Sequence, residues 1–271
     1  MSVVRSATHA DRRVIAFDGK ALRGARDSTG NLPFLLAGLC QVTGTILAQV
    51  GIAAKAREVP GLRKLLATLD IAGAVITADA AHCCRETAET ITTAGGNYIL
   101  TVKNNQPRLP ARLKTLPWKH VPVPDISVGS GHGRRERRML KATAIDAGIG
   151  FPGAERVLRM SRTRTDRKAG KRGTEIVYAI TTLTASDASA TMIATWLRGH
   201  WGIENRAHWV RDVTFDEDRC RARTGHAPQV FATLRNTAIS LVRLVGRSNI
   251  AAALRHYAHE FSRPFELLMA C

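Results

Sequence analysis

The stretch Val14-Ile15-Ala16-Phe17-Asp18-Gly19-Lys20 decides how the rest of the chain is read. Four apolar residues run into a carboxylate whose neighbours leave little reason for a charge, and Gly19 beside it permits a close approach of other groups to the backbone. The segment predicts a short strand, Val14 to Phe17, with Asp18 at its end. Two more apolar runs follow, Phe34 to Cys40 and Thr45 to Ile52, separated by Gln41-Val42-Thr43-Gly44, which suits a hairpin turn. These two predict an antiparallel pair.

Further along, Leu62, Leu65, Leu66 and Leu69 recur at helical spacing just after Pro60, a residue suited to a helix start. Ala74 to Thr77 reads as a strand closed by Ala78-Asp79-Ala80. Arg85 to Thr93 reads as a helix stopped by Gly95-Gly96, and Tyr98 to Val102 as another strand. The order strand, strand, strand, helix, strand, helix, strand predicts an α/β fold: a mixed sheet flanked by helices, of the ribonuclease-H-like kind. In that order the first and fourth strands are neighbours, so Asp18 and Asp79 are expected to converge.

From about Leu109 to Ser186 the pattern changes. Val121-Pro122-Val123-Pro124, the glycines between Gly129 and Gly133, and a dense basic stretch from Arg156 to Arg172 predict a basic insertion of strands and loops. Helical patterning resumes at Thr191 and passes Trp196, Trp201 and Trp209, and Phe231 to Val245 predicts a further amphipathic helix. The expected organisation is therefore three blocks. Residues 1–108 form the first part of the catalytic core, 109–186 the strand-rich insertion before the last catalytic helix, and 187–271 the helices that complete the core.

Composition narrows the function. Lys and Arg number 40 against 22 Asp and Glu in 271 residues, a formal charge of +18, which favours an anionic polymer, nucleic acid foremost, through counterion release. The five cysteines, Cys40, Cys83, Cys84, Cys220 and Cys271, form no C-x-x-C pair and no even framework, which fits a reducing compartment. No apolar run is long enough for a membrane span, and Met-Ser-Val-Val-Arg lacks the apolar core of a signal peptide. A cytoplasmic, nucleoid-associated protein with no membrane partner is expected.

On the late helix Glu204, His208 and Arg211 fall at i, i+4 and i+7, beside an apolar stripe of Ile203, Ala207 and Val210. One face packs and the next presents polar groups. Acids at element ends suit nucleotidyl transfer, because two divalent ions need carboxylates from separate elements to hold them. His82, Cys83 and Cys84, just beyond Asp79, lack a second Cys/His pair at zinc-ligand spacing and read as the first turn of a helix.

These segments together resemble the DDE transposases of bacterial insertion sequences, the ISAs-type subgroup that includes the H-repeat-associated proteins. The resemblance is carried by Asp18-Gly19-Lys20-Ala21-Leu22-Arg23-Gly24, Lys55 with Glu58, Thr77-Ala78-Asp79-Ala80, and Leu100-Thr101-Val102-Lys103-Asn104-Asn105-Gln106. It continues through His132-Gly133-Arg134-Arg135-Glu136-Arg137-Arg138 and Arg198-Gly199-His200-Trp201-Gly202-Ile203-Glu204-Asn205, then His208-Trp209 to Phe215 and Glu217-Asp218. It implies a metal-binding triad of Asp18, Asp79 and Glu204 that holds two divalent cations, Mg2+ or Mn2+, and acts in DNA cleavage and strand transfer. The implied partners are double-stranded DNA, meaning the terminal inverted repeats of the element and the target, and a second copy of the chain in an active homodimer.

By the same resemblance Lys103, Asn104 and Gln106 lie near the site and contact DNA, while Arg198, His200, Asn205 and Arg211 surround Glu204 and offset phosphate charge. Lys20 and Arg23, beside Asp18, join the DNA-binding set. Arg134, Arg135, Arg137 and Arg138, with the stretch from Arg162 to Arg172, are expected to contact phosphates. Family members carry a helical region before the Asp-Gly-Lys strand, whereas 17 residues precede Asp18 here. That difference raises the alternative of a truncated, non-catalytic DNA-binding transposase remnant; a nuclease of the same fold that cuts without joining is a third reading.

Overall fold

A computed structural model describes residues 12–26, 30, 32–52, 57–103, 105, 108–131, 133–145, 149–166 and 168–270. Lys55, Asn104, Gln106 and His132 lie outside the described residues. The chain divides into two compact units, one of residues 1–70 with 199–271 and the other of residues 71–198.

The first unit begins with β1 (Val14–Ala21), β2 (Phe34–Cys40) and β3 (Ile46–Ile52), paired antiparallel in that order. The β2–β3 turn closes as the sequence predicts. Gly44 takes φ 72°, a left-handed conformation that a residue with a Cβ rarely adopts, and its N–H donates to the Cys40 carbonyl at 2.8 Å. The same turn is tied down from outside by Arg206, which donates to the carbonyls of Gln41 and Thr43, both at 2.8 Å. One expectation changes here. β1 does not stop before Asp18 but continues to Ala21, with Asp18 opposite Ala37 of β2. The ladder satisfies the backbone through Asp18, so the carboxylate leaves the strand sideways rather than from its tip.

Helix α1 (Glu58–Leu66) has Pro60 in its first turn and buries Leu62, Leu65 and Leu66. The chain re-enters this unit at Gly199 and continues through a π-helical turn (Glu204–His208), α5 (Trp209–Val213), α6 (Ala227–Leu244), α7 (Ile250–Ala258) and α8 (Arg263–Met269). Two apolar contacts bind helices to strands and to one another. Ile203 and Ala207 pack on Ala16, Ala37 and Leu39, and Val210 packs with Ile239, Val242, Ile250 and Ala253.

The second unit carries a six-stranded mixed sheet in the order β4 (Val75–Ala78), β5 (Asn97–Val102), β9 (Arg172–Thr181), β8 (Arg156–Asp166), β7 (Arg134–Ala144), β6 (Asp125–Gly131). β4 and β5 are parallel and joined by α2 (Arg85–Thr93), while the other pairs are antiparallel. Helix α2 stops where the glycines predict: Gly95 has φ 72°, and the Gly96 N–H returns to the Ile91 carbonyl at 2.9 Å. Helices α3 (Arg108–Lys114) and α4 (Ala190–Gly199) complete the unit.

The order and pairing of β1 through β5 are those of the ribonuclease-H-like fold, a mixed sheet with helices. β9 pairs with β5 from Ile99↔Thr181 to Val102↔Tyr178, so the strand-rich segment 109–186 extends the sheet of its own unit. His82, Cys83 and Cys84 also differ from expectation. They precede α2, His82 ending a one-turn 3-10 helix and Cys84 sitting at the N-cap, and burial pushes the Cys83 thiol up to about 12.

In the first unit a buried charge network closes the chain after α5. Arg211, only 1% exposed, donates to both Glu217 oxygens at 2.9 and 2.7 Å, and Arg235 of α6 adds a third contact at 3.2 Å. Removing the shared carboxylate strands two guanidinium groups away from water, which costs about 3–5 kcal/mol for a broken buried pair. Glu217→Ala is therefore expected to lower unfolding stability by that amount in urea titrations; a loss under about 1 kcal/mol would show the network to be solvated.

Candidate active site

The first unit sets two carboxylates and an imidazole at one place. Side chains alternate along β1, so Ala16, Asp18 and Lys20 share a face. That face meets the segment bearing Ile203 and Ala207, and the small side chains of Ala16, Ala37 and Ala207 let strand and helix approach closely. Asp18 then reaches the turn that carries Glu204 and His208. His208 Nδ1 stands 2.9 Å from Glu204 Oε2 and 3.7 Å from Asp18 Oδ2. One ligand atom from each of the three residues falls within 4.8 Å of the others, the group of this kind found among the described residues.

The π-turn shapes the site. Trp209 N–H donates to the carbonyl of Glu204, five residues back, so the helix is one residue wider here than an α-helix. Residues beyond the turn are displaced around the axis by roughly 100°, the rotation that one residue normally supplies. This accounts for a correction at Arg211. An unbroken helix would aim it alongside Glu204, as expected from the sequence, whereas it is buried against Glu217. Lys20 is corrected similarly. It is 8% exposed and donates to both oxygens of Asp212 on α5 at 2.6 Å, so its charge is committed inside the protein.

Electrostatics separates the two acids. Burial raises the Asp18 carboxyl above its usual range, against the opposing pull of His208, the Gly19 N–H and His200; the Glu204 charge pushes it further up. Glu204 is held low, chiefly by its hydrogen bond with His208, despite some burial, and also by the charges of His208, Lys20 and Arg23. A half-buried carboxylate beside a second one is a site that a cation would relieve, and the donor set of two carboxylates and an imidazole fits a divalent ion.

Asp79 belongs to the second unit. It follows β4 and caps the 3-10 turn Ala80–His82, its Oδ1 accepting the Ala80 N–H at 2.6 Å. Because β4 and β5 are parallel, the loops after them leave the same edge of their sheet. Lys103 there lies 3.6 Å from Asp79 Oδ1, and Asn105 donates to the carbonyls of Ala80 and Cys83 at 2.7 and 3.3 Å. Lys103 is expected from the sequence as a DNA contact; Asn105, which holds the Asp79 turn, has no functional role in that reading, because an amide in a polar loop carries no periodic signal.

The remaining basic candidates spread over β7 and β8. Strand register puts Arg134, Glu136, Arg138, Arg162 and Arg164 on one face and Arg135 and Arg137 on the other. Glu136 is the hub of the first face, contacting Arg138 at 2.6 Å, Arg162, and Arg164 at 3.5 Å. With Gly129 to Gly131, Arg134, Glu136, Arg162 and Arg164 line a cleft of about 420 Å³. Burial, then the charges of Arg198 and Arg164, lower the Arg138 guanidinium. Arg134, Arg135 and Arg137 are exposed, as are Arg23 and Asn205, while His200 is half-buried and Arg198 lies 3.5 Å from Asp125.

Residues 9–241 match the family described as Transposase DDE domain, and the chain belongs to it. The chain is 30% identical over 244 residues to the protein YbfL and 31% identical over 245 residues to the H repeat-associated protein YhhI, both of Escherichia coli K12. Each alignment takes in 86% of this chain and 64% of the relative, so the chain spans less than two thirds of their length. Among solved structures, the piggyBac transposase synaptic complex with hairpin DNA aligns with 89% of this chain and 47% of its own, at 13% identity and a TM-score of 0.46. No helix among the described residues is long and apolar enough to cross a membrane.

The raised Asp18 carboxyl yields a test with a defined sign. Its contribution to stability is present below the unfolded-state value and is lost as pH rises through the folded-state value; Glu204, held low, behaves oppositely. Asp18→Asn is expected to melt above the wild type in EDTA at neutral pH, with the gap closing as pH falls through the carboxylate range. Adding Mn2+ should raise the melting temperature of the wild type and leave that of the variant unmoved. A variant that melts below the wild type at neutral pH would mean that Asp18 is stabilised, not strained, by its surroundings.

Proposed function

We propose that this chain is the catalytic part of a transposase that cuts DNA at the ends of an insertion element and joins the freed ends to target DNA in a divalent-cation-dependent reaction. The observation that carries the reading is the placement of Asp18 and Glu204, from a strand and a helix far apart in sequence, within ligand distance around His208. Family membership supports Asp79 as the third carboxylate. The three acids would hold Mg2+ or Mn2+ ions, which, when bound, supply activation of the attacking oxygen and stabilisation of the leaving one.

The roles of this chain's own residues follow from their chemistry. Asp18, Asp79 and Glu204 act as ionised ligands. Lys103 and Asn105 keep the Asp79 turn in shape. Arg23, Arg198, His200 and Asn205 lie along the segments that carry Asp18 and Glu204 and offer donors to phosphate oxygens. The exposed Arg134, Arg135 and Arg137 supply affinity that is independent of sequence, and their contribution should weaken steeply with salt. Double-stranded DNA, both element ends and target, is the substrate, the working assembly is a homodimer, and the compartment is the cytoplasm, at the nucleoid.

The test is cleavage of labelled duplexes carrying the terminal sequences that flank the reading frame, with Mg2+ or Mn2+ and with EDTA. Metal-dependent nicking and strand-transfer products are expected from the wild type, with losses on the order of 100-fold or more in Asp18→Asn, Asp79→Asn and Glu204→Gln, since each removes a cation ligand. DNA binding without cleavage in any metal would identify a DNA-binding remnant, and nicking without joined products a nuclease. Replacing Arg134, Arg135 and Arg137 together should weaken binding to all sequences alike and flatten the salt dependence.

A further inference from the structure

We infer that His208 is a nitrogen ligand of the cation held by Asp18 and Glu204, which makes this part of the site favour Mn2+ and similar transition ions over Mg2+. The inference rests on the reading that these two carboxylates bind a cation, and it adds a ligand of a different chemical class.

Three observations support it. The first is distance. Donor atoms about 2.1 Å from an ion and at right angles to one another stand about 3 Å apart, and Nδ1 of His208 lies 2.9 Å from Glu204 Oε2 and 3.7 Å from Asp18 Oδ2. The second is how the ring is anchored. His208 is 3% exposed, and its Nε2 has no hydrogen-bond partner among the described residues. The polar contacts found for the ring are therefore those to the two acids, and its polar edge is directed at them.

The third is charge. Two carboxylates and a neutral imidazole together carry the charge that a divalent ion cancels. Lys20 of β1 is already paired with Asp212, which partly offsets its charge. A cation at this place would take the Nδ1 lone pair, with the single proton of the neutral ring on Nε2, and would replace the contact of Nδ1 with Glu204. Imidazole nitrogen suits transition ions, whereas Mg2+ prefers oxygen, so the ligand set sets the order of preference.

The experiment uses the full chain without DNA. Mn2+ is titrated in and free Mn2+ is followed by electron paramagnetic resonance, while pulsed spectra of the bound ion report any directly coordinated nitrogen. The wild type is expected to show nitrogen modulation typical of imidazole. His208→Ala and His208→Gln should both lose it, with Mn2+ affinity falling roughly 10–100-fold and Mg2+ affinity, measured by competition, falling far less. Glutamine keeps a hydrogen bond to Glu204 within reach, so its melting curve in EDTA separates a lost ligand from a lost fold. Bound Mn2+ with no nitrogen coupling in the wild type would overturn the inference and leave the carboxylate site standing. Failure of the wild type to bind Mn2+ would overturn both. Nitrogen coupling in a chain that never cuts DNA would uphold the ligand and remove the proposed reaction.

Discussion

The close contact between β1 and the segment around Ile203 and Ala207 is what the candidate site depends on. Ala16, Ala37 and Ala207 are small, and Ile203 and Leu39 fill what remains, so the helix backbone lies near the strand. That separation decides whether Asp18 can meet Glu204 and His208 at all. A larger side chain at any of the alanines would hold the two elements apart, and a buried overpacked position costs roughly 1–3 kcal/mol in addition. The Lys20–Asp212 pair lies further along the same two elements and fixes their register at a second point.

Around that contact the protein accepts local electrostatic cost. Asp18 is desolvated next to Glu204, and His208 moderates the repulsion between them without removing it. Burial and like charge together favour the neutral acid, the opposite of what folding alone would select. The π-turn is a departure from regular structure, of a kind frequent at functional sites, and it sits at the residues that meet Asp18. Desolvation at Asp18 and an irregular turn at Glu204–His208, on a framework elsewhere packed with Ile, Leu and Ala, fit a site kept for chemistry.

The arginines of β7 and β8 follow a different logic. They do not form one uniform basic surface. Glu136 gathers Arg138, Arg162 and Arg164 on one face, where mutual repulsion would otherwise splay them, while Arg135 and Arg137 extend from the other. Ordered guanidinium groups on a strand present a defined spacing of donors, which a loop of the same composition would not.

The sequence by itself determined the order of elements, because periodicity and turn chemistry are local: β2 spans Phe34–Cys40 and α2 spans Arg85–Thr93, the bounds that their apolar runs and the Gly95 stop predict. It also made Asp18, Asp79 and Glu204 conspicuous, as acids where a strand or an apolar helix stripe leaves charge unexplained. Tertiary structure alone decided which groups meet. A helix of uniform pitch puts Arg211 beside Glu204; with a π-turn between them, Arg211 meets Glu217 instead. Lys20 reads as an exposed cation until Asp212, 192 residues away, occupies it. Periodicity records which face of an element is apolar, but the identity of a polar partner is a property of two distant segments and the distance between them, and no single stretch of sequence contains it.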